Sequence, residues 1–394
     1  MVSQLMHSGT INIHFQPIIS IRCSRVIGVE ALMRAYDENG EFYSPVFVFE
    51  QAKKENIAFE FDKLVRQKAL EAFAPLYQAN KELLLFLNFE SYLLDSKIDF
   101  EAFEFCKAAK NLGVPPSRIV LEIKENQIND TENLKCFSEY FKERGFMIAL
   151  DDFGAGNANF DRIATVRPNI VKIDRSIVFN VHQNFINKEI LKSIANMCFN
   201  IGALVLAEGV ESEEEILRSL KLDIDLFQGF WFAKPQAKLH DAKILLEKIE
   251  RIGYQHTNNM KASMQKKEDL IVNAKQYAGM IIDALLEDKK VDIHTFLEHY
   301  KAIEAIYRID ARMGIQEDDT VININIQEFF RPAQAGESHA LKEYFYITKE
   351  SKRGNYLSQK YISRASGKMC RTFAQKFYLN GEEKIICLDL KVNP

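Results

Sequence analysis

The chain has 394 residues, 47% of them hydrophobic, and a formal net charge of -4. That length supports a large buried core and two or three domains. The sequence pI of about 6.1 excludes binding to a nucleic-acid polymer or an anionic membrane surface through bulk charge alone. No apolar run approaches the roughly 18 residues of a membrane span, and residues 1–15 lack the pattern of a signal peptide. The six cysteines form no C-x-x-C pair. They read as core filler in a reduced, cytoplasmic protein.

Apolar, β-branched runs recur along the first two thirds: 11–19, 26–33, 83–88, 119–123, 147–151, 170–174, 203–207 and 226–230. Segments of helical period lie between most of them, at 61–78, 130–144, 187–201 and 213–220. Such alternation predicts a parallel sheet, and eight strands in about 250 residues fit a closed α/β barrel. Only residues 20–25 separate the first two strands. A parallel pair needs a crossover of about a dozen residues, so this pair is expected to be antiparallel and the barrel irregular there.

Residues 241–252 read as the closing helix, with a break at Gly253. A second helix is expected over 259–287, where Met260, Met264, Ile271, Ala274, Ala278, Ile281 and Leu285 fall near a 3-4 spacing. That stripe fits either a face packed on neighbouring elements or, as the sharper reading, a seam that pairs two copies into a homodimer. Beyond it, 294–307 reads as a helix, and 320–326, 356–362, 369–378 and 384–390 as strands. Asn380-Gly381 marks a hairpin. The expected domains are therefore a barrel over 1–253, a linker helix over 254–290 and a smaller α+β domain over 291–394.

Polar residues gather where the barrel strands end. Glu30 and Arg34 flank Leu32 on one face of the second predicted strand. Asn88 ends the third. Glu122 lies on the fourth, with Glu125 just beyond it. Asp151 and Asp152 end the fifth, Lys172 and Asp174 the sixth, Glu208 the seventh, and Gln228 lies on the eighth. Each has a plain structural explanation taken alone: Asp152 as a helix cap, Glu208 as a helix start, Gln228 as polarity at the core edge. Together they converge on the mouth where such barrels place chemistry. So many carboxylates call for hard divalent cations, Mg²⁺ or Mn²⁺. Adjacent Asp151 and Asp152 can serve two ions roughly 3.5–4 Å apart, the arrangement of two-metal phosphoryl transfer. Arg34 offers a fork for a phosphate, and Lys172, with a lowered pKa, a group to orient or deprotonate water. The D-F-G at 152–154 lacks the other kinase motifs, and G-A-G-N-A-N at 154–159 lacks the third glycine of a dinucleotide loop.

The stretches FQPIIS, EALMR, LNFES, LEIKEN, ALDDFGAG, VKIDRS, LAEGVES and FQGFWFAKP carry a resemblance. Over the first 240 or so positions the chain resembles the EAL family of cyclic-di-GMP phosphodiesterases. The resemblance implies an irregular TIM-type (β/α)8 barrel that hydrolyses cyclic-di-GMP to linear pGpG with two Mg²⁺ or Mn²⁺ ions. It implies that Glu30, Asn88, Glu122 and Asp151 hold one metal and that Asp151, Asp152 and Glu208, directly or through water, hold the other. Lys172 would activate water with Asp174 beside it at the metal site, and Glu125 would steady the loop over 153–160. Gln16, Leu32, Arg34 and Gln228 would contact substrate. The family's common Thr is Lys124 here, and the loop lacks its frequent tyrosine and serines. No ligand position is lost, and these departures bear on rate and metal coupling more than on activity itself. The alternatives are a cyclic-di-GMP receptor with little or no turnover and, because guanine recognition is not readable from these motifs, a related phosphodiesterase for another nucleotide. The stretch YISRASGKMCRTFAQKF resembles PAS/Cache-like sensory domains. Tyr361, Arg364 and Arg371 read first as surface and sheet residues; a small ligand, if the domain takes one, would face them.

Overall fold

The computed structural model describes residues 1–8, 11–37, 40–89, 105–124, 131–156, 160–238, 241–287, 292–322, 331–363 and 365–392. Glu125, Arg364 and residues 157–159 lie outside these. The chain divides into two compact units, Met1–Asn258 and Asn259–Pro394.

In the first unit the strands are β1 (Ile11–Ser20), β2 (Arg25–Tyr36), β3 (Phe42–Tyr43), β4 (Leu84–Phe89), β5 (Ile119–Lys124), β6 (Met147–Phe153), β7 (Ile170–Ile173), β8 (Leu204–Ala207) and β9 (Leu226–Phe227). Their order is β1-β9-β8-β7-β6-β5-β4-β2-β3, and β1 also pairs with β2, so eight strands close on themselves and β3 is an appendage. Every neighbour pair from β2 through β9, β3 aside, is parallel, whereas β1 runs antiparallel to both β2 and β9. The short β1–β2 connection forces this reversal, as the sequence predicts.

The intervening helices include Ala58–Ala79, Thr131–Glu143, Phe185–Asn200 and Glu213–Leu220. The last opens with a capping box: Ser212 accepts from the Glu215 amide while Glu215 Oε2 accepts from the Ser212 amide. Glu215 also accepts from the amides of Glu211 and Asn180. One buried carboxylate thus pins the turn that follows Glu208.

The break expected at Gly253 does not occur. A single helix runs over Ala242–Leu286. One glycine costs a helix about 1 kcal/mol, too little to interrupt a segment anchored by packing. Leu245, Ile249 and Ile252 sit in the barrel core. Ala274, Ala278, Ile281 and Ile282 sit in the core of the second unit, with Ile271 and Leu285 packed against them. Most of the stripe expected to pair two copies is therefore spent on the chain's own sheet; Met260 and Met264 remain exposed.

The second unit is a helix, Ile293–His299, and a sheet of β10 (Ile303–Asp310), β11 (Val321–Ile322), β12 (Asn355–Leu357), β13 (Tyr361–Ile362), β14 (Met369–Leu379) and β15 (Glu382–Lys391). A second helix spans Glu343–Glu350. The order is β11-β10-β15-β14-β12, all antiparallel, with β13 also on β14. The helix expected over 294–307 thus ends early and gives way to β10. That strand is central and nearly all its residues are buried, so it shows no alternation to distinguish it from a helix. The β14–β15 turn is Asn380-Gly381, with φ of 52° and 81°, as a two-residue hairpin requires.

All six cysteines are free. Cys198, Cys370 and Cys387 fill cores and Cys106 is half-buried, but Cys23 and Cys136 are exposed and are not core filler. Among the described residues no helix is long and apolar enough to cross a membrane.

Candidate active site

Strand period builds the site. Ile18, Phe86, Val120, Ala149, Ile170, Leu206 and Leu226 form one buried cluster, one residue from each of seven strands. Gly28 of β2 makes room beside them, since a Cβ there would lie 2.8 Å from the Phe86 ring. Two residues further toward the mouth is the next position on the same face of each strand. Those positions are Glu30, Asn88, Glu122, Asp151, Lys172, Glu208 and Gln228. On the reversed β1 the step runs backwards and gives Gln16. An apolar layer and a polar layer are therefore stacked, and the polar one carries seven of the residues singled out from sequence, joined by Gln16.

Asp152 is the exception to the period, because alternation would turn it away from Asp151. The β6–β7 register shifts between Leu150 and Phe153. Asp152 itself takes φ of 55°, a left-handed conformation that aspartate tolerates better than most residues. Such an irregularity re-aims a side chain. Carboxylate oxygens of Asp151, Asp152 and Glu208 all lie within 4.8 Å of one another.

Lys172 is the hub. Its side chain is 1% exposed, and its Nζ lies 2.6 Å from Glu122, 2.8 Å from Asp151, 2.8 Å from Glu208 and 3.9 Å from Glu30. Burial alone pulls the ammonium pKa down, but Asp151, Glu122, Glu208 and Glu30 outweigh it and hold it well above the ordinary lysine value. With these carboxylates around it Lys172 holds its proton and serves as their counter-charge; the lowered pKa expected from sequence is that of a lysine set among metal ions. Burial, and then Glu30, push the Glu122 carboxyl well up against the pull of Lys172. Burial raises Glu208 to about 8, against Lys172 and with Asp151 and Glu30 adding to the rise. Burial and Asp151 raise Asp152 as well.

The amides organise the carboxylates. Asn88 Nδ2 donates to one oxygen of Glu30 at 2.8 Å, and Gln228 Nε2 to the other at 2.6 Å. Gln228 Nε2 also reaches Gln16 Oε1 at 3.2 Å, and Gln16 Nε2 donates to the Ala233 carbonyl at 3.1 Å. Neither oxygen of Glu122 accepts a well-directed hydrogen bond among the described residues.

A cavity of about 310 Å³ opens over this layer, lined in part by Glu30, Leu32, Asn88, Asp151, Asp152, Lys172 and Glu208. A second, of about 260 Å³, is lined by Gln16, Gln228, Asp174 and Phe230 among others. Asp174 caps a short helix by accepting from the Ser176 amide at 2.8 Å. Arg34 lines neither cavity, and its guanidinium donates to the Met33 carbonyl at 2.8 Å.

Sequence reading missed Asp62 and Arg66. They form a buried i,i+4 ion pair at 2.7 Å on the helix Ala58–Ala79, and both line the first cavity. Arg66 also lies over the Phe89 ring, 4.5 Å from its centroid. Such a pair reads in sequence as an ordinary surface bridge; only the apolar residues on either side hint at burial. Lys124 was noticed as a departure without a role. Its Nζ lies 3.8 Å from Asp152 Oδ2, and it lines the same cavity.

The donor set is carboxylate oxygen with one carboxamide, and among the described residues five carboxylates share one buried ammonium and the half-exposed Lys124. Residues of this kind fit hard divalent cations. Glu30, Asn88, Glu122, Asp151, Asp152 and Glu208 are those placed to hold them.

The chain is similar to known proteins of one family. The family model of the EAL domain matches residues 1–235. The uncharacterized EAL-domain-containing protein YkuI of Bacillus subtilis is 24% identical over 96% of this chain and 93% of its own length. Its crystal structure, in complex with substrate c-di-GMP and calcium, superposes with a TM-score of 0.83 at 23% identity and covers both chains fully, which establishes a shared fold. The cyclic di-GMP phosphodiesterase PdeA of Borreliella burgdorferi is 30% identical over 57% of this chain, but this chain spans only 33% of that protein. A standalone EAL protein from Vibrio cholerae O395, solved in a c-di-GMP-bound form, is 29% identical, with a TM-score of 0.52 over 60% of this chain and 97% of that one.

Proposed function

The chain belongs to the EAL domain family, and from that premise we propose that it hydrolyses cyclic-di-GMP to linear pGpG at the barrel mouth. In this reaction water adds to one phosphorus, the P–O3′ bond breaks, and the released O3′ takes a proton. The observation that carries the reading is the polar layer itself, with its excess of buried carboxylate over cation. Glu30, Asn88, Glu122, Asp151, Asp152 and Glu208 would hold two divalent ions, Mg²⁺ or Mn²⁺, which would supply charge neutralisation for the phosphoryl displacement. Asn88 and Gln228 fix the Glu30 carboxylate. The β6 irregularity turns Asp152 toward Asp151. Lys172, once the carboxylates have other counter-charge, is placed among them to orient water. Gln16, Leu32, Arg34, Gln228 and Asp174 remain candidates for substrate or metal contact, and Asp62 and Arg66 join them on geometry. The test is incubation with cyclic-di-GMP and Mn²⁺, with and without chelator. Metal-dependent appearance of pGpG supports the reading; binding with no pGpG at any metal concentration leaves a receptor instead.

Lys124 favours that second reading to a degree. Its ammonium stands beside Asp152, where it competes with a cation. Both groups are over a third exposed, so the competition is worth about 1 kcal/mol after screening. Lys124→Thr is expected to lower the Mn²⁺ concentration for half-maximal binding or turnover by about fivefold. An unchanged metal titration would remove Lys124 from the account.

The second unit, a small antiparallel α+β domain, is proposed to act as a PAS/Cache-like sensor that sets the rate of the barrel. Truncation after Asn258 is expected to leave a folded barrel whose turnover differs at least threefold from the full chain. Identical rates at every metal and substrate concentration would end the regulatory reading.

A further inference from the structure

A cavity of about 470 Å³ lies in the second unit, and none of its lining residues belongs to the phosphodiesterase reading. That volume suits a small molecule. Tyr307, Tyr344 and Tyr361 form its aromatic wall. The Tyr344 and Tyr361 rings stack with centroids 6.4 Å apart, and Tyr307 meets Tyr344 edge-on at 6.3 Å. Asp389, 4% exposed, also lines it. Thr372 donates to one oxygen of this carboxylate at 2.6 Å, and the Tyr307 and Tyr361 hydroxyls each lie 3.4 Å from the same oxygen, Tyr361 being also hydrogen-bonded to the Thr372 hydroxyl. All three end on Oδ1 and none on Oδ2.

No lysine or arginine among the described residues forms an ion pair with Asp389. Arg331, on the lining, is engaged by Glu337 at 2.8 Å. Lys342 lines the cavity without reaching Asp389. His339 is not a cation either. Its Nε2 faces the Gln316 carbonyl oxygen at 2.8 Å, which fixes that nitrogen as the donor, so Nδ1 accepts from Tyr344 at 2.7 Å. Burial lowers its pKa to about 4. A second carboxylate, Glu304, is 1% exposed, its Oε1 accepts no hydrogen bond, and its charge adds to the strain on Asp389. Burial raises the Asp389 carboxyl to about 6 despite its hydroxyl donors. A buried carboxylate with no basic ion-pair partner among the described residues, beside three electron-rich rings, is a setting that favours an organic cation, since ring faces and carboxylate attract it together.

We propose that this cavity binds a small organic ammonium ion, with Asp389 as its counter-charge and Tyr307, Tyr344 and Tyr361 as its aromatic wall. Of the residues weighed from sequence for a ligand here, Tyr361 belongs to the site. Arg371 does not line it and donates to the Ser358 carbonyl.

The test is calorimetric titration of the full chain with a series of primary alkylamines and tetramethylammonium, each beside its alcohol or carboxylate isostere. At least one ammonium is expected to bind at least tenfold more tightly than its isosteres, and Asp389→Asn to weaken it at least tenfold. No binding by any ammonium at millimolar concentration overturns the proposal, as does equal binding of the isosteres or an Asp389→Asn protein that binds as well. If Asp389→Asn fails to fold, crystals of the unsubstituted protein soaked with the tightest ammonium decide. Density against Asp389 and the three tyrosines supports the site, and its absence there refutes it. Neither result bears on cyclic-di-GMP turnover.

Discussion

Glu30→Ala is expected to lower pGpG formation by at least about a thousandfold, because it removes a carboxylate from the cation-holding layer, and such charge stabilisation is worth several kcal/mol. Its cost to the fold is expected to be smaller. Asn88 and Gln228 each donate to Glu30, and losing the acceptor leaves Asn88 short of that partner, about 1–3 kcal/mol if no water replaces it, while Gln228 keeps Gln16. Glu30→Gln separates the two effects. It keeps the volume and one acceptor oxygen, so the thermal midpoint should stay close to that of the parent while turnover falls as far as in Glu30→Ala. Turnover within tenfold of the parent in either variant would take Glu30 out of the metal site.

The second large effect is expected from Lys172→Met. Four carboxylates surround this ammonium. Removing one partner from a buried charge cluster costs about 3–5 kcal/mol, on the order of 10 °C in the midpoint of a barrel this size. Turnover is expected to disappear as well. The pH dependence gives a finer reading. In metal-free parent protein Glu208 titrates at about 8, and Glu122 and Asp152 are also raised. A carboxyl raised on folding stabilises the fold while it is protonated. That contribution is complete below its unfolded value, about 4.3, and is lost as pH climbs through the folded value. Metal-free protein should therefore lose stability between about pH 4.5 and 8, and Lys172→Met should lose more over the same window. Saturating Mn²⁺ should flatten both profiles. Flat metal-free profiles would mean that the carboxylates are not coupled as the geometry has them.

The barrel was legible because its strands are short apolar runs buried on both faces and spaced by helices. The reversed β1 was legible from the length of one loop. Most of the polar layer was legible too, because each member stands at the mouth end of such a run. What escaped needed three dimensions. Asp151 and Asp152 share the site only through a register shift and a left-handed residue, neither of which two adjacent aspartates announce. Arg66 and Asp62 look like a surface pair until the helix Ala58–Ala79 turns them inward. The proton on Lys172 is held by four carboxylates from distant parts of the barrel, which no stretch of sequence around Lys172 displays. In the second unit β10 was absorbed into a helix because a strand buried on both faces loses its period. The continuous helix across Gly253 shows the converse, a local signal outweighed by packing on either side.

The most direct measurement is anomalous diffraction from crystals of the full chain grown or soaked with Mn²⁺. Two peaks enclosed by Glu30, Asn88, Glu122, Asp151, Asp152 and Glu208, with Lys172 displaced from at least one carboxylate, are the expected result. No peak at saturating Mn²⁺, with Lys172 still in contact with Glu122, Asp151 and Glu208, would contradict it: the lysine would then be the permanent counter-charge of a site that holds no metal.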